Sequence, residues 1–438
     1  MATISYKGGL TPQFAQDETC QELHATSIWQ EVSAWLALLP VLFITVIGSI
    51  QTDSGPVAFR FTAMDDDSPA RKAMRLACSI LMLLIISTRS RDTVAACKRS
   101  KLLLFMPALA FVSVLWSQNP RHTIVDALNL LLTTVFALYI YLRYPGSRLL
   151  SFLGFATFVS LLLCVLSVTV FPNVGIDVFQ QDAWRGIFNQ RNNCATACVL
   201  FLTVGLHWPA RGIVDKCART LIVFLSLLFI VMSGSRTGWL LTALALVLTV
   251  GLKVVARMAS RERILFIMLM TVPSLFLAFL IMTNSTQILA ALDKDPTLSQ
   301  RTIIWAQVIP SIVKHPLFGY GYSSFWTGLN GESMQTVLTT GWMEGQAQDG
   351  YLDVLLELGF LGLIPIAIAF IRGFGQSIAA VEHRNLSANV QLAIVLIPII
   401  LVGNIGESSL LTPLGIPWFY ALIALSTLGL QGRFAGNS

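Results

Sequence analysis

From residue 29 almost to the C-terminus, apolar runs of about 17–25 residues recur with short polar interruptions. Each is long enough to cross a hydrocarbon core of roughly 30 Å as a helix, and lipid obliges every peptide group to find its partner within the chain. Charged residues occupy 12% of the 438 positions, roughly half the share usual in globular proteins. A soluble helical bundle would need polar outer faces, which these runs lack. The sequence therefore predicts an all-α polytopic integral membrane protein. Hydropathy places about 12 transmembrane helices, near 29–50, 73–88, 102–116, 123–142, 149–171, 193–208, 217–233, 237–256, 264–283, 351–371, 388–403 and 414–431.

The expected organisation follows: a polar cytoplasmic tail (1–28), nine spans (29–283), a large external loop (284–350), three spans (351–431) and a short cytoplasmic tail (432–438). Residues 1–28 lack an apolar core of signal-peptide length, so the first helix is expected to direct insertion. Lys and Arg set the orientation. Segments 89–101, 211–219 and 253–263 carry Arg89, Arg91, Lys98, Arg99, Lys101, Arg211, Lys216, Arg219, Lys253, Arg257, Arg261 and Arg263, which marks their side as cytoplasmic. Segment 51–72 fits less well, placing Arg60, Arg71 and Lys72 outside beside Asp65, Asp66 and Asp67. The net charge of +6 is thus a topology signal, and no nucleic-acid partner is expected. The seven cysteines form no CxxC pair. Cys194 and Cys198 share a helix face as small packing residues, with no metal site or disulfide framework implied.

Against that background, Arg185 and Arg191 in "WRGIFNQRNN", Arg236 in "SGSRTGW" and Arg301 in "DPTLSQRTIIW" fall on the outer face, where positive charge is normally sparse. Interfacial snorkelling accounts for any one of them. Several together, among Gly, Asn and Trp, point to an anion site, since guanidinium binds phosphate bidentately and stays charged. Within the outer loop, Thr297 and Gln300 have capping-box spacing, and Ile304, Trp305, Val308, Ile309 and Ile312 follow at helical spacing. An amphipathic helix is expected there, bent or shortened at Pro310.

These stretches, with "LWSQNP" (115–120), "HPLFGYG" (315–321), "GYLDVLLELGFLG" (350–362) and "GNIGESSLL" (403–411), resemble the bacterial O-antigen ligases, O-antigen polymerases and exopolysaccharide polymerases, most closely the last branch. The resemblance implies a metal-independent glycosyltransferase without cofactors, on the outer, periplasmic face of the bacterial inner membrane. It would polymerise undecaprenyl-diphosphate-linked oligosaccharide repeat units, alongside a flippase and a chain-length regulator. An acceptor hydroxyl attacks the anomeric carbon and the lipid diphosphate departs, held by arginines aimed at its developing charge. Arg185, Arg236 and Arg301 match the family's motif arginines, and Arg191 stands where Lys or Arg is usual. Asn192 and Glu407 complete the expected diphosphate and substrate site.

One position departs from the pattern. Where the family keeps a His-Asn pair before "GYLD", the His being its expected general base, this chain has Gln348 and Asp349. Glutamine accepts no proton at neutral pH, so either another residue is the base, or this branch needs none, or catalysis has been lost. Asp349 is the nearest ionisable candidate for the proton acceptor, with Gln348 and Arg236 beside it in the catalytic set. Asp349 also reads as a helix N-cap, and Asp353 and Glu357 follow it at i+4 and i+8 on one face. Glu344, His122 and His315 are the other external candidates, and Glu407 reads as a salt-bridge partner for one of the arginines. An O-antigen ligase using lipid A core as acceptor, an exporter of the same lipids, and a non-catalytic assembly component are the rival readings. An exporter would be expected to hold its ligand near the midplane, whereas the charged motifs cluster at one face.

Overall fold

The computed structural model describes residues 37, 39–41, 69–177, 182–188, 190–258, 301–329, 331–340, 345–382 and 386–431. Its helices are α1 (Pro69–Ser87), α2 (Ser90–Arg99), α3 (Lys101–Val112), α4 (Pro120–Arg143), α5 (Ser147–Val170), the short α6 (Pro172–Gly175), α7 (Arg191–His207), α8 (Ile213–Met232), α9 (Arg236–Val255), α10 (Arg301–Lys314), α11 (Met334–Thr340), α12 (Gly350–Glu382), α13 (Ala388–Gly403) and α14 (Ile416–Gln431). The strands are two-residue pieces, β1 (Ile176–Asp177) and β2 (Ala183–Trp184), paired antiparallel. Helix α7 is buried on every side, with Cys194 and Cys198 fully enclosed, as a helix apolar all round should be. It packs on α5, α8, α9 and α13, while α14 packs on α4, α12 and α13.

Four helices, α4, α5, α9 and α12, are long and apolar enough to cross a membrane unaided, or five spans if the α1–α2 pair, bent by 96°, is taken as one. The protein is thus an all-α membrane protein. Ten of the expected spans coincide with described helices, while 264–283 and nearly all of 29–50 lie outside the described residues. Helices α7, α13 and α14 have 16 or 17 residues, roughly 24–26 Å, and sit in the bundle's interior. The basic stretch 89–101, expected as a connection, contains helix α2. Helix α10 continues past Pro310 to Lys314, burying Ile304, Val308, Ser311 and Ile312 as one stripe; the capping residues Thr297 and Gln300 lie outside the described residues.

The expected span 351–371 differs most from what is observed. Helix α12 starts at Gly350 and breaks at Gly359 (φ 61°, ψ −158°), a backbone conformation essentially reserved for glycine. The break is filled by the "HPLFGYG" segment. Tyr320 N–H and Gly321 N–H donate to the Leu356 and Glu357 carbonyls (2.8 and 2.9 Å), and Phe360 N–H and Leu361 N–H donate to Pro316 and Leu317 (2.9 and 3.2 Å). A Cβ at Gly319 would lie 2.5 Å from the Glu357 backbone, and one at Gly359 would lie 2.4 Å from that of Leu317. The portion after the break, 360–382, is roughly 34 Å long and by itself sufficient to span.

Connectivity sorts the two ends of the bundle. The starts of α4, α7, α9 and α12, Arg301 of α10 and the end of α13 lie at one end, joined by the bonds of the "HPLFGYG" loop and of the site below. Arg143, Lys216, Arg219, Lys253 and Arg257 are carried at the other.

Candidate functional site

The site is organised by Asn404, fully buried just past the end of α13. Its Oδ1 accepts from Ser409 N–H (2.9 Å), Leu410 N–H (3.0 Å) and Ser409 Oγ (3.1 Å), while Nδ2 donates to the Ile400 carbonyl (2.7 Å). The Asn404 carbonyl takes the Gly350 N–H (2.8 Å). A Cβ at Gly350 would stand 2.2 Å from Asn404 Oδ1, so only glycine allows α12 to start there. One amide therefore winds the "GNIGESSLL" loop into a tight arc and ties it to α12. The arc carries Glu407 inward, 3% exposed.

Opposite Glu407 stands Arg301, on α10. Its Nη2 donates to Glu407 Oε1 (3.1 Å) and its Nε to Gln348 Oε1 (3.1 Å). Gln348 holds a left-handed backbone (φ 54°), a strain that surrounding structure has to maintain. Asn192 also hydrogen-bonds the Glu407 side chain. Burial pushes the Glu407 carboxyl up to about 7, outweighing the attraction of Arg301 and the bonds from Asn192 and Arg301.

The "SGSRTGW" turn closes the site from the α9 side. Gly234 takes the left-handed conformation (φ 60°), and Ser235 caps α9 by accepting from Gly238 N–H (3.3 Å). Helices α7 and α9 touch where a Cβ at Gly238 would lie 2.6 Å from Ala195 Cβ. That contact sets the guanidinium of Arg191, the first residue of α7, with Nη1 4.0 Å from where a Gly234 side chain would begin. A Cβ at Gly406 would meet Arg301 Nη1 at 3.1 Å and Thr237 Oγ1 at 3.4 Å. Arg191, Asn192, Thr237, Arg301, Gln348 and Glu407 thus surround one small region. Arg236 begins α9 beside Thr237, exposed, and has no hydrogen-bond or ion-pair partner among the described residues. The Nε of Arg191 is buried and lacks a partner among them.

Arg185 is placed differently. Its Nε and Nη2 donate to the carbonyls of Val174 (2.9 Å) and Asn173 (3.3 Å), bracing the connection between α6 and the strand pair. Asp349 lies at the start of α12 as a cap, its Oδ1 accepting from Tyr351 N–H (2.9 Å) and Leu352 N–H (3.0 Å). Burial raises its carboxyl above the usual aspartate range, against the lowering effect of those two donors and of Arg301.

The sequence reading missed Asp126, buried on α4 and bonded by Ser323 Oγ (2.6 Å), with His122 and Arg75 at 3.5 and 3.9 Å. An acidic residue two turns inside an apolar helix was the available signal. Glu344 lies outside the described residues, and His122 Nδ1 and His315 are engaged by the Ser323 carbonyl (3.0 Å) and the Tyr320 ring. Among the described residues no group of three His, Cys, Asp or Glu side chains is placed to hold a metal ion.

Residues 221–367 match the O-antigen ligase family. The chain is also 30% identical over 148 residues to the exopolysaccharide production protein ExoQ of Rhizobium meliloti (strain 1021), a stretch covering 32% of this chain and 34% of that relative. The chain thus spans about a third of the length of the curated relative it matches. Both findings support the O-antigen ligase and polymerase superfamily. The family match includes Arg236, Arg301, Gln348 and Asp349 but ends before Glu407 and begins after Arg191, and the fold brings those two to it.

Proposed function

We propose that the chain is a membrane glycosyltransferase that joins undecaprenyl-diphosphate-linked oligosaccharide repeat units into a surface polysaccharide. In this reading it crosses the bacterial inner membrane twelve times, with its active site on the outer, periplasmic face. The observation that carries the proposal is that Arg191 and Arg236 are each the first residue of a helix, and that the guanidinium groups of Arg191 and Arg301 come together with the start of α9 around Gly234 and Gly406. A cation at a helix N-terminus opposes the macrodipole and weakens the helix by roughly 0.3–1 kcal/mol. Repeated at two helix starts and joined there by Arg301, that arrangement favours an anion of high charge, where guanidinium groups and helix ends act together.

In the reaction, the acceptor oxygen bonds to the anomeric carbon while the bond from that carbon to the diphosphate oxygen breaks. The electron pair of the broken bond stays on the diphosphate, where the arginines stabilise it. The acceptor's proton goes to Asp349, whose burial raises its affinity for protons. Gln348 and Glu407 hold Arg301 in place from two sides. A flippase would deliver the substrate, and a chain-length regulator would set the product.

The test uses the purified protein in nanodiscs with lipid-linked repeat units extracted from the producing strain. A ladder of lengthening oligosaccharides is expected, lost in Arg301→Ala and retained in EDTA because fixed arginine charge takes the role of a divalent cation. Movement of the lipid across proteoliposomes with no new glycosidic bond would overturn the proposal in favour of an exporter.

A further inference from the structure

A cavity of about 150 Å³ is lined by the 322–326 loop, residues 345 and 346, the first part of α12 and residues 408–413. Its polar lining includes Ser323, Trp326, Gln346, Asp353, Glu357 and Ser408. The cavity and the arginine region share a wall. Gln346 and Gln348 flank Ala347, and Ser408 follows Glu407. Asp353 lies one turn along α12 from Asp349, which places their Cβ atoms about 6 Å apart.

The chemistry on the two sides of this wall differs. The side carrying Arg191, Arg236 and Arg301 suits a diphosphate. The cavity side has carboxylates held by neutral donors: Asp353 accepts from Trp326 Nε1 (2.8 Å) and from Ala347 N–H (3.0 Å to each oxygen), and Glu357 accepts from Ser323 N–H. A phosphate would be repelled there. A ligand rich in hydroxyl groups would be matched, because each carboxylate oxygen retains capacity to accept O–H donors. Trp326, fixed through its Nε1 bond and an edge contact with Phe325, supplies a rigid aromatic wall. Gln346 adds an amide that makes no hydrogen bond among the described residues, so both its donors and its acceptor are available.

We infer that this cavity is the acceptor subsite, receiving an uncharged sugar ring of the incoming repeat unit and presenting its hydroxyl across the shared wall. The inference rests on the proposed glycosyl transfer. A donor sugar is joined directly to the diphosphate and therefore has to stay on the arginine side. The acceptor sugar needs a second site, and the cavity is lined by Gln346 and Ser408, close in sequence to Gln348 and Glu407.

The experiment offers the nanodisc-embedded protein two substrates separately: lipid-linked repeat unit as donor, and the same repeat unit released from lipid and fluorescently tagged as a soluble acceptor. Gln346→Ala, which breaks no bond of the described fold, is expected to raise the KM for the tagged acceptor about two- to tenfold, the loss of one neutral hydrogen bond, and Glu357→Ala about tenfold or more. The KM for the donor should stay within about twofold, and Arg301→Lys should show the reverse pattern. A raised donor KM, or an unchanged acceptor KM in Gln346→Ala at wild-type thermal stability, would overturn the inference. Direct binding of the tagged oligosaccharide, followed by fluorescence anisotropy, separates the two readings. Binding that is lost in Gln346→Ala supports the subsite even if no transfer is observed, whereas equal binding in variant and wild type rejects it.

Discussion

Replacing Glu407 by glutamine tests the electrostatic account of the site. In the folded protein this carboxyl ionises near about 7, whereas an exposed glutamate does so near ~4.3. Between those values the folded state holds a proton that the unfolded state has released, so stability falls as pH rises through the window. The full effect is roughly 3–4 kcal/mol, and the part lying between pH 5 and pH 8 is roughly 2–3 kcal/mol. Little solvent screening reduces it, because Glu407 is 3% exposed. Glu407→Gln keeps an oxygen that can accept from Arg301 Nη2 but has no proton to lose. Losing the partner charge lowers stability by a further amount at every pH above the window, so the diagnostic quantity is the slope and not the absolute value. Thermal unfolding of both proteins in the same detergent should show the wild type losing several degrees of Tm from pH 5 to pH 8 relative to the variant. Parallel Tm profiles over that range would refute the reasoning, because they would mean that Glu407 ionises at its ordinary value despite its burial.

Asp349→Asn preserves capping ability, since Asn and Asp cap about equally, so Tm should hold while transfer falls at least ~10²-fold if Asp349 is the proton acceptor; retained transfer would leave it a cap alone. Arg191→Lys should cut donor use about tenfold or more at unchanged Tm, while Arg185→Lys should lower Tm by losing its two carbonyl bonds; equal Tm changes would contradict the distinction drawn here. Gly350→Ala should reduce stability by on the order of 3 kcal/mol, because its Cβ falls 2.2 Å from Asn404 Oδ1; a normal Tm would show that the loop can yield. Gly406→Val should raise the donor KM several-fold with little loss of fold, since its side chain enters the space beside Arg301 Nη1, and an unchanged donor KM would place the diphosphate elsewhere.

The bundle was legible because apolar runs in lipid admit few solutions, and ten of the expected spans correspond to helices. Three features were not legible, each for a local reason. The break at Gly359 lies inside a run that hydropathy reads as one span despite Asp353 and Glu357, and hydropathy does not register a single glycine whose φ is positive. Its partner is "HPLFGYG", some forty residues upstream, a pairing that no periodicity reveals. The engagement of Arg185 was equally hidden, because its acceptors are backbone carbonyls and carbonyls have no sequence signature. The face shared by Asp349, Asp353 and Glu357 could be read from spacing, but its cavity could not, since the opposite walls come from 322–326 and 408–413. What the sequence did expose was the unusual placement of arginine. Guanidinium groups on the poorly basic side of a membrane protein mark themselves by contrast with everything around them.

Gln348, which stands where the resemblance leads one to expect a histidine, gains a physical meaning from the bonds of Arg301. A guanidinium has five N–H donors and no acceptor. Here Nε is directed to Gln348 and one N–H of Nη2 to Glu407, leaving the two of Nη1 and the other of Nη2 for a ligand. The Nη1 and Nη2 end of a guanidinium can meet a phosphate with two parallel bonds, one N–H from each nitrogen. Gly406 borders Nη1 without a side chain to obstruct it. A histidine at 348 could meet Nε only through a neutral ring nitrogen, and on accepting a proton it would present a second positive charge to Arg301. Gln348 instead offers a carbonyl oxygen that stays neutral at any pH, so the fork holds its orientation whether or not a proton is moving nearby. The two tasks that a family histidine would combine, accepting a proton and bordering the arginine, are in this proposal divided between Asp349 and Gln348. That division is coherent because Asp349 adjoins Gln348 in sequence and already feels the charge of Arg301.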